Sequence, residues 1–253
     1  ESVSEVSAVD AHNIQHISGY VGTMSDIDVS DTAAALISAG DHVLNVNGVD
    51  VVTVNDGATT AQQGAMLAGF TADVQFDVAD DVGALKSVMG TNDPASYLTE
   101  ANSITVNDGT GSSVVNASDG AILSGFTADV EFDVVDDANA VAAEVAGSGF
   151  GAGGLDEANN LTVSGGNVDV AEAADIQAIS GYDGSASDYD ITDTAATLIS
   201  AGDSILNKAG VDIVTASDTS VNASIGGDLA GFTADIEFDV VDTANLIAAE
   251  VTA

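Results

Sequence analysis

The sequence predicts an α/β fold: a right-handed parallel strand–helix solenoid of about ten coils, with helices on one face and an acidic sheet face toward solvent. First, one segment, GFTADVQFDVADDVGAL at 69–85, occurs in five related copies. Second, each copy reads as a loop, a strand of alternating apolar and acidic residues, and a helix of small residues. Third, strands and helices alternate along the chain, a pattern typical of parallel strands joined by right-handed crossovers.

Glycines mark the repeat along the chain. The five copies open at glycines that are 50, 56, 56 and 50 residues apart, namely Gly19, Gly69, Gly125, Gly181 and Gly231. Strand-like segments of a second kind lie between them, at 49–56, 103–108, 160–164 and 211–218. Each of these is followed by another helix-like run, such as 59–68 or 171–180. The unit that recurs along the chain therefore contains two successive strand–helix segments, one of each kind.

A larger duplication is superimposed on these repeats. IQHISGY (14–20) matches IQAISGY (176–182), and AGFTADVQFDV (68–78) matches AGFTADIEFDV (230–240), in both cases 162 residues apart. Residues 1–91 and 163–253 are thus one module present twice, with an extra repeat pair at 92–162. We expect 1–253 to form a single continuous solenoid, in which 91–101 and 147–159 are loops.

The strands are predicted to have one acidic face. In residues 73–78, Val74, Phe76 and Val78 fall on one side, and acidic or amide side chains alternate with them on the other. A doubly wound sheet with helices on both faces would need strands that are apolar on both sides. The acidic side therefore favours a solenoid.

The helices are predicted to start at aspartates and to stop at glycines. In DTAAALI (31–37), Asp31 is expected to be the N-cap. An apolar stripe is predicted to follow it, from Ala33 and Leu36 to Val43 and Leu44, with Ile37 beside them. The expected helix stops are Gly40, Gly90, Gly147 and Gly202.

The charge balance restricts the possible partners. Two basic residues stand against 41 acidic ones, which gives a net charge of −39. Such a chain repels nucleic acid and anionic membranes, because phosphate binding depends on lysine and arginine. No apolar run approaches the roughly 20 residues of a membrane helix, so membrane insertion is not expected. The expected partners are divalent cations and other copies of the chain.

A repeated Asp-x-x-Asp pattern is the strongest candidate for a binding site. Each pair stands where a strand ends and a helix begins: Asp28 with Asp31, Asp77 with Asp80, Asp133 with Asp136, Asp190 with Asp193, and Asp239 with Asp242. Calcium takes several carboxylate and carbonyl oxygens at a turn, so these pairs predict a row of Ca²⁺ sites. The alternative is that the second aspartate caps the following helix and the first is solvated.

The remaining polar residues give little sign of catalysis. His12 and His16 have the i, i+4 spacing of a helical metal pair, but no HExxH pattern accompanies them, and Ala174 and Ala178 replace them in the second module. We interpret them, with His42, as surface residues. No nucleophile elbow, phosphate loop or dinucleotide motif follows a strand. No catalytic residue is predicted, and the chain is not expected to be an enzyme.

Three short segments resemble a repeat found in a known class of proteins: DTAAAL (31–36), DTAATL (193–198) and DTANLI (242–247). They resemble the D-T-A-A-x-[IL] strand–helix repeats of large, acidic, cysteine-free bacterial surface proteins. Those proteins are adhesin-like or surface-layer-like, and many are exported by type I secretion. The resemblance implies an extracellular or cell-surface location, a structural role and bound calcium.

The expected function is structural. Residues 3–20 match 165–182 in register and the last residues read as a helix of the repeat, so we expect neither end to carry a polar cap. An uncapped parallel edge can pair with another copy, and a head-to-tail contact propagates as a fibre. The hypothesis is cation-assisted assembly into a filament or surface layer. The alternatives are an adhesion or Ca²⁺-binding module of a larger secreted protein, and a halophilic protein whose acidic face serves hydration.

Overall fold

The computed structural model of the chain describes residues 4–24, 26–89, 98, 100–107, 112–126, 129–147 and 155–251. It is an α/β structure in which the paired strands run parallel. Contacts divide the chain into two compact units, Glu1–Val114 with Ile122–Phe132, and Val115–Ala121 with Asp133–Ala253. Much of the predicted loops at 91–101 and 147–159, with Gly90 and Pro94, lies outside the described residues.

The first unit alternates strands and helices from its first described residue. Its strands are β1 (Ser4–Val6), β2 (Ile27–Asp31), β3 (Val49–Val54), β4 (Val74–Gln75), β5 (Asp77–Asp80) and β6 (Ser103–Val106). Its helices are α1 (Ala8–Gln15), α2 (Ala33–Ala39), α3 (Asp41–Leu44), α4 (Ala61–Ala68) and α5 (Val82–Met89), with a 3₁₀ turn at Gly22–Met24. Next along the chain come strand β7 (Val114–Val115), whose two residues are divided between the units, and helix α6 (Ala117–Leu123), most of which belongs to the second unit. Strand β8 (Val130–Glu131) belongs to the first unit.

The second unit repeats the alternation. Its strands are β9 (Asp133–Asp136), β10 (Asn160–Val168), β11 (Asp188–Asp193), β12 (Val211–Ala216) and β13 (Ile236–Glu237). Its helices are α7 (Ala138–Gly147), α8 (Val170–Ala178), α9 (Ala195–Ala201), α10 (Asp203–Leu206), α11 (Ala223–Ala230) and α12 (Ala244–Glu250).

Each sheet is open, and its strands lie in chain order. The first unit contains the sheets β1-β2-β3-β4 and β5-β6-β8, and the second contains β13-β12-β11-β10-β9-β7. The strand predicted at 73–78 is present but interrupted at Phe76. The strand changes neighbours there, because Val74 pairs with Val52 of β3 whereas Val78 pairs with Ile104 of β6.

The predicted alternation of strand faces is confirmed. Val74, Phe76 and Val78 are buried, while Asp73 and Asp77 are exposed. Burial of the apolar side supplies the main driving force for packing, at about 25 cal/mol per Å². The acidic side chains keep their hydration on the other side.

The predicted helix stops at Gly40 and Gly202 are confirmed. Gly40 has φ 71° and ends α2, so the stripe predicted from Ala33 to Leu44 is divided between two short helices, α2 and α3. Gly202 has φ 66° and divides α9 from α10 in the same way. Only glycine adopts this backbone conformation without strain. Gly147 is the last residue of α7.

Candidate functional site: the aspartate links and the open helix face

The second aspartate of each pair does not cap the helix that follows it, so that prediction is wrong. In α2 the N-cap is Thr32, whose side chain accepts a hydrogen bond from the Ala35 N–H. Thr194 does the same for α9. In the motif D-T-A, threonine is therefore the cap and alanine the first helical residue. The aspartate stands one position too early to reach the N3 amide.

The second aspartate instead links two successive strand–helix repeats. Asp80 accepts a hydrogen bond from the N–H of Ala61, the first residue of α4, at 2.9 Å. Its other oxygen accepts the Asp81 N–H, also at 2.9 Å. The same link joins Asp31 to Ala8, Asp136 to Ala117, Asp193 to Val170 and Asp242 to Ala223, at 3.0 to 3.3 Å.

These aspartate links satisfy backbone groups that a helix leaves unpaired. The first four N–H groups of an α-helix have no partner within the helix, and its N-terminus carries partial positive charge. The N-cap side chain (serine, threonine, asparagine or aspartate) takes the N3 amide, and the linking aspartate from the next repeat takes the N1 amide. Each carboxylate therefore fixes the position of a strand end relative to the preceding helix.

Two further aspartate links were missed by the sequence reasoning. Asp56 accepts the Ala33 N–H at 3.0 Å, and Asp218 accepts the Ala195 N–H at 2.6 Å. Both residues end strand segments of the second kind, VDVVTVND and VDIVTASD. Strand segments of both kinds end in an aspartate, and this shared position is the signal in the sequence that could have identified Asp56 and Asp218 as links.

Three of the five first aspartates lie on strands and hydrogen-bond to the next strand. Asp77 accepts a hydrogen bond from the Ser103 hydroxyl at 2.9 Å, and Asp133 accepts one from the Asn160 amide at 3.0 Å. Asp190 accepts the Ile213 N–H at 3.2 Å. Asp28 is half-buried and Asp239 is exposed.

The predicted calcium sites remain a prediction. In the second aspartate of each pair, both oxygens already accept backbone N–H groups, and Ca²⁺ takes 6–8 oxygen ligands. Within the described ranges, no group of three or more histidine or acidic side chains is placed to hold a metal ion.

A second kind of carboxylate contact joins α3 to the following strand–helix repeat. One Asp41 oxygen accepts the N–H groups of Thr71 and Ala72 at 2.9 and 3.0 Å. Hydrogen bonding from Thr71 is the largest cause that lowers the pKa of Asp41 below its usual value of 3.8. Asp203 makes the equivalent contacts with Thr233 and Ala234.

The three histidines are closer together than the sequence suggested. The His12 and His16 ring centroids are 4.2 Å apart, and those of His12 and His42 are 6.4 Å apart. His16 Nδ1 lies 2.8 Å from the His12 carbonyl oxygen. All three side chains are exposed, as expected for surface residues.

A buried tyrosine contact distinguishes the second module. The Tyr189 side chain is buried, and Gln177 Nε2 donates a hydrogen bond to its hydroxyl at 2.8 Å. Burial raises the pKa of Tyr189, as it does that of Tyr182, whose hydroxyl donates to the Ala209 carbonyl. Both phenols therefore stay neutral at physiological pH and act as hydrogen-bonding groups.

An apolar surface remains open at helix α12. This helix buries none of its residues. Four large side chains are exposed on α12, just before it and just after it, and we call them the C-terminal face: Val240, Leu246, Ile247 and Val251. Exposed fractions here range from 38% for Ile247 to 83% for Val251.

Comparisons with known proteins add no relative. No protein-family model matches the chain, and none of the curated proteins is similar to it. None of the helices in the described ranges has both the length and the apolar character needed to cross a membrane.

Proposed function

We propose that this chain is a non-enzymatic structural protein of the cell exterior that assembles head-to-tail into a filament or surface layer. In this proposal the strand–helix repeats form a right-handed parallel solenoid of about ten coils, with helices on one face and the acidic sheet face in solvent. Cations assist assembly by reducing repulsion between copies.

The sheet order supports a solenoid. In each sheet the strands are arranged in chain order, although β9 neighbours β7 without β8 between them and β6 neighbours β8 without β7 between them. A strand that crosses through a helix to a parallel neighbour does so with a right-handed turn in nearly all proteins. A doubly wound sheet would instead reverse its strand order at a switch point.

The open C-terminal face is the observation that carries the assembly proposal. Val240 and Ile247 occupy the repeat positions of Val78 and Leu85, which are buried in the first unit. The same positions are 39% and 38% exposed at the last strand–helix repeat. The surface thus has the composition of an interior contact, which a further strand–helix repeat supplied by another copy would cover.

The net charge sets a condition on assembly. Each copy carries −39 and only two basic residues, so two copies repel each other at low ionic strength. The screening length falls from about 10 Å at 0.1 M salt to about 3 Å at 1 M. Divalent cations would reduce the same repulsion at lower concentration.

The C-terminal face can be tested by one substitution. Ile247→Asp places a charge on the face, and because Ile247 is already partly exposed the variant is expected to fold. Sedimentation velocity in salt should show concentration-dependent oligomers for the unmodified chain and a monomer for Ile247→Asp.

Ile213→Asp is the matched control, because Ile213 of β12 is 39% exposed, much like Ile247, but is not one of the residues of the C-terminal face. This variant should assemble like the unmodified chain. Equal assembly of Ile247→Asp and the unmodified chain would contradict the proposal, as would a strictly monomeric unmodified chain.

A further inference from the structure

Inside the second unit, helix α7 contacts helix α8. The sequence of the α7 side of this contact is repeated at the last helix, α12. Residues 125–145 and 231–251 differ at only four positions: Val130/Ile236, Asp137/Thr243, Ala140/Leu246 and Val141/Ile247. Val134 and Val141 are fully buried, whereas Val240 and Ile247 at the equivalent positions are exposed. The difference arises because α7 is followed by β10 and contacts α8, while α12 has no such neighbour among the described residues.

The sequence of the α8 side of this contact is repeated at the first helix, α1. Residues 165–182, which include α8, match 3–20, which include α1. Ile176 and Ile179 are buried, the latter to 3% exposure. Their equivalents Ile14 and Ile17 are less buried, and Ile17 is 61% exposed.

An open groove lies beside α1 at these positions. Its volume is about 770 Å³, and its helical wall consists of Asp10, Asn13, Ile14 and Ile17. The opposite side of α1, with Val9 and His12, faces α2 and α3 instead. The groove therefore lies on the side of α1 turned away from α2 and α3, and it extends past the end of β1 to Ser30 and Asn55.

We infer that the C-terminal face of one copy binds α1 of a second copy, in a contact that reproduces the packing of α7 on α8. Both halves of that internal contact are present a second time, and in both halves the equivalent apolar side chains are exposed. Two different surfaces of the chain thus complement each other, which makes the interface heterologous and able to propagate. This inference rests on the proposed function and names its partner surface.

The contact between copies is not expected to be identical to the internal one. A Cβ at Gly166 would lie 2.9 Å from the Ala138 N atom, so β10 approaches the start of α7 very closely there. Ser4 stands at the position of Gly166 in the first module. The first strand of a second copy must therefore lie slightly farther from α12 than β10 lies from α7.

Mixing two blocked variants tests the inference. Ile17→Asp blocks the α1 surface and Ile247→Asp blocks the C-terminal face. Each variant alone should sediment as a monomer, with association weakened on the order of 30-fold or more, as for the loss of a central interface residue. An equimolar mixture should form 1:1 dimers and nothing larger, because only one intact surface of each kind remains.

A control variant is needed, and the possible results distinguish failure of this inference from failure of the proposed function. Met24→Asp, at a side chain 87% exposed in the same module, should assemble like the unmodified chain. Oligomers formed by Ile17→Asp alone would overturn the inference and leave the proposed function standing. A mixture that stays monomeric would also overturn the inference, whereas a monomeric unmodified chain would overturn both.

Discussion

At the scale of single residues, the linking aspartates explain why the motif D-T-A recurs. Threonine caps its own helix, alanine begins it, and aspartate reaches back to the helix before. Charge-assisted hydrogen bonds to backbone N–H groups are about twice as strong as neutral ones. These links suit a chain with only two basic residues, because backbone amides take the place of lysine and arginine as partners of the carboxylates.

Removal of one link should reduce stability. Asp80→Ala leaves the N–H groups of Ala61 and Asp81 without their acceptor, which should lower the free energy of unfolding by about 1–3 kcal/mol. Asp73→Ala, on the exposed strand side, is the control and should change it by less than about 0.5 kcal/mol. Urea denaturation measures both, and equal effects would contradict the linking role of Asp80.

The Asp41 contact predicts a pH dependence. The pKa of Asp41 is lower in the folded chain than its usual value of 3.8, so the contact stabilises the fold fully above that value. Its contribution should shrink as the pH falls below 3.8 and vanish below the folded pKa. Unfolding of Asp41→Asn, compared with the unmodified chain, should show a stability deficit near neutral pH that disappears in acid. A deficit that is constant with pH would contradict this account.

At the scale of elements, the helices depend on small residues where they approach strands. A Cβ at Gly64 of α4 would lie 2.8 Å from Val78 Cγ2 and 3.1 Å from Phe76 Cε2, so glycine permits this close packing. Gly226 of α11 has the equivalent position against Val240, with a Cβ at 2.7 Å from Cγ2. The two sites differ in how freely their neighbours can move.

This pair of glycines gives a matched prediction. Gly64→Ala should destabilise the chain by a net amount of about 1 kcal/mol, because overpacking outweighs the gain in helix propensity. Gly226→Ala should be neutral or slightly stabilising, because the partly exposed Val240 can move aside. Thermal unfolding compares the two, and an equal loss from both substitutions would show that Val240 is as fixed as Val78.

The elements were largely predictable from the sequence, and the links between them were not. Alternation at 73–78 predicted which side chains are buried, and Gly40 predicted the end of α2. The role of Asp31 could not be derived locally, because its partner Ala8 lies 23 positions earlier and stacking of successive repeats brings them together. The grouping of His42 with His12 depends on packing in the same way.

At the scale of the whole molecule, repetition accounts for both the fold and the proposed assembly. A contact that packs one strand–helix repeat on the next inside the chain has its two halves exposed again, on α1 and α12. In this proposal the net charge of −39 on every copy opposes the contact at low ionic strength.

Salt should therefore promote assembly. Raising NaCl from about 0.1 M to about 1 M shortens the screening length from about 10 Å to about 3 Å and should increase the oligomer fraction. If screening is the mechanism, a chelator should have no effect at high NaCl. Loss of oligomers on addition of a chelator at high NaCl would instead indicate coordinated divalent ions and favour the predicted calcium sites.

Light scattering of the unmodified chain across a concentration series at high salt tests the central claim most directly. The account predicts an average mass that rises continuously with concentration, without a plateau at the dimer, because a head-to-tail contact leaves a free face at each end. A mass that stays at one chain, or that stops at two, would contradict it.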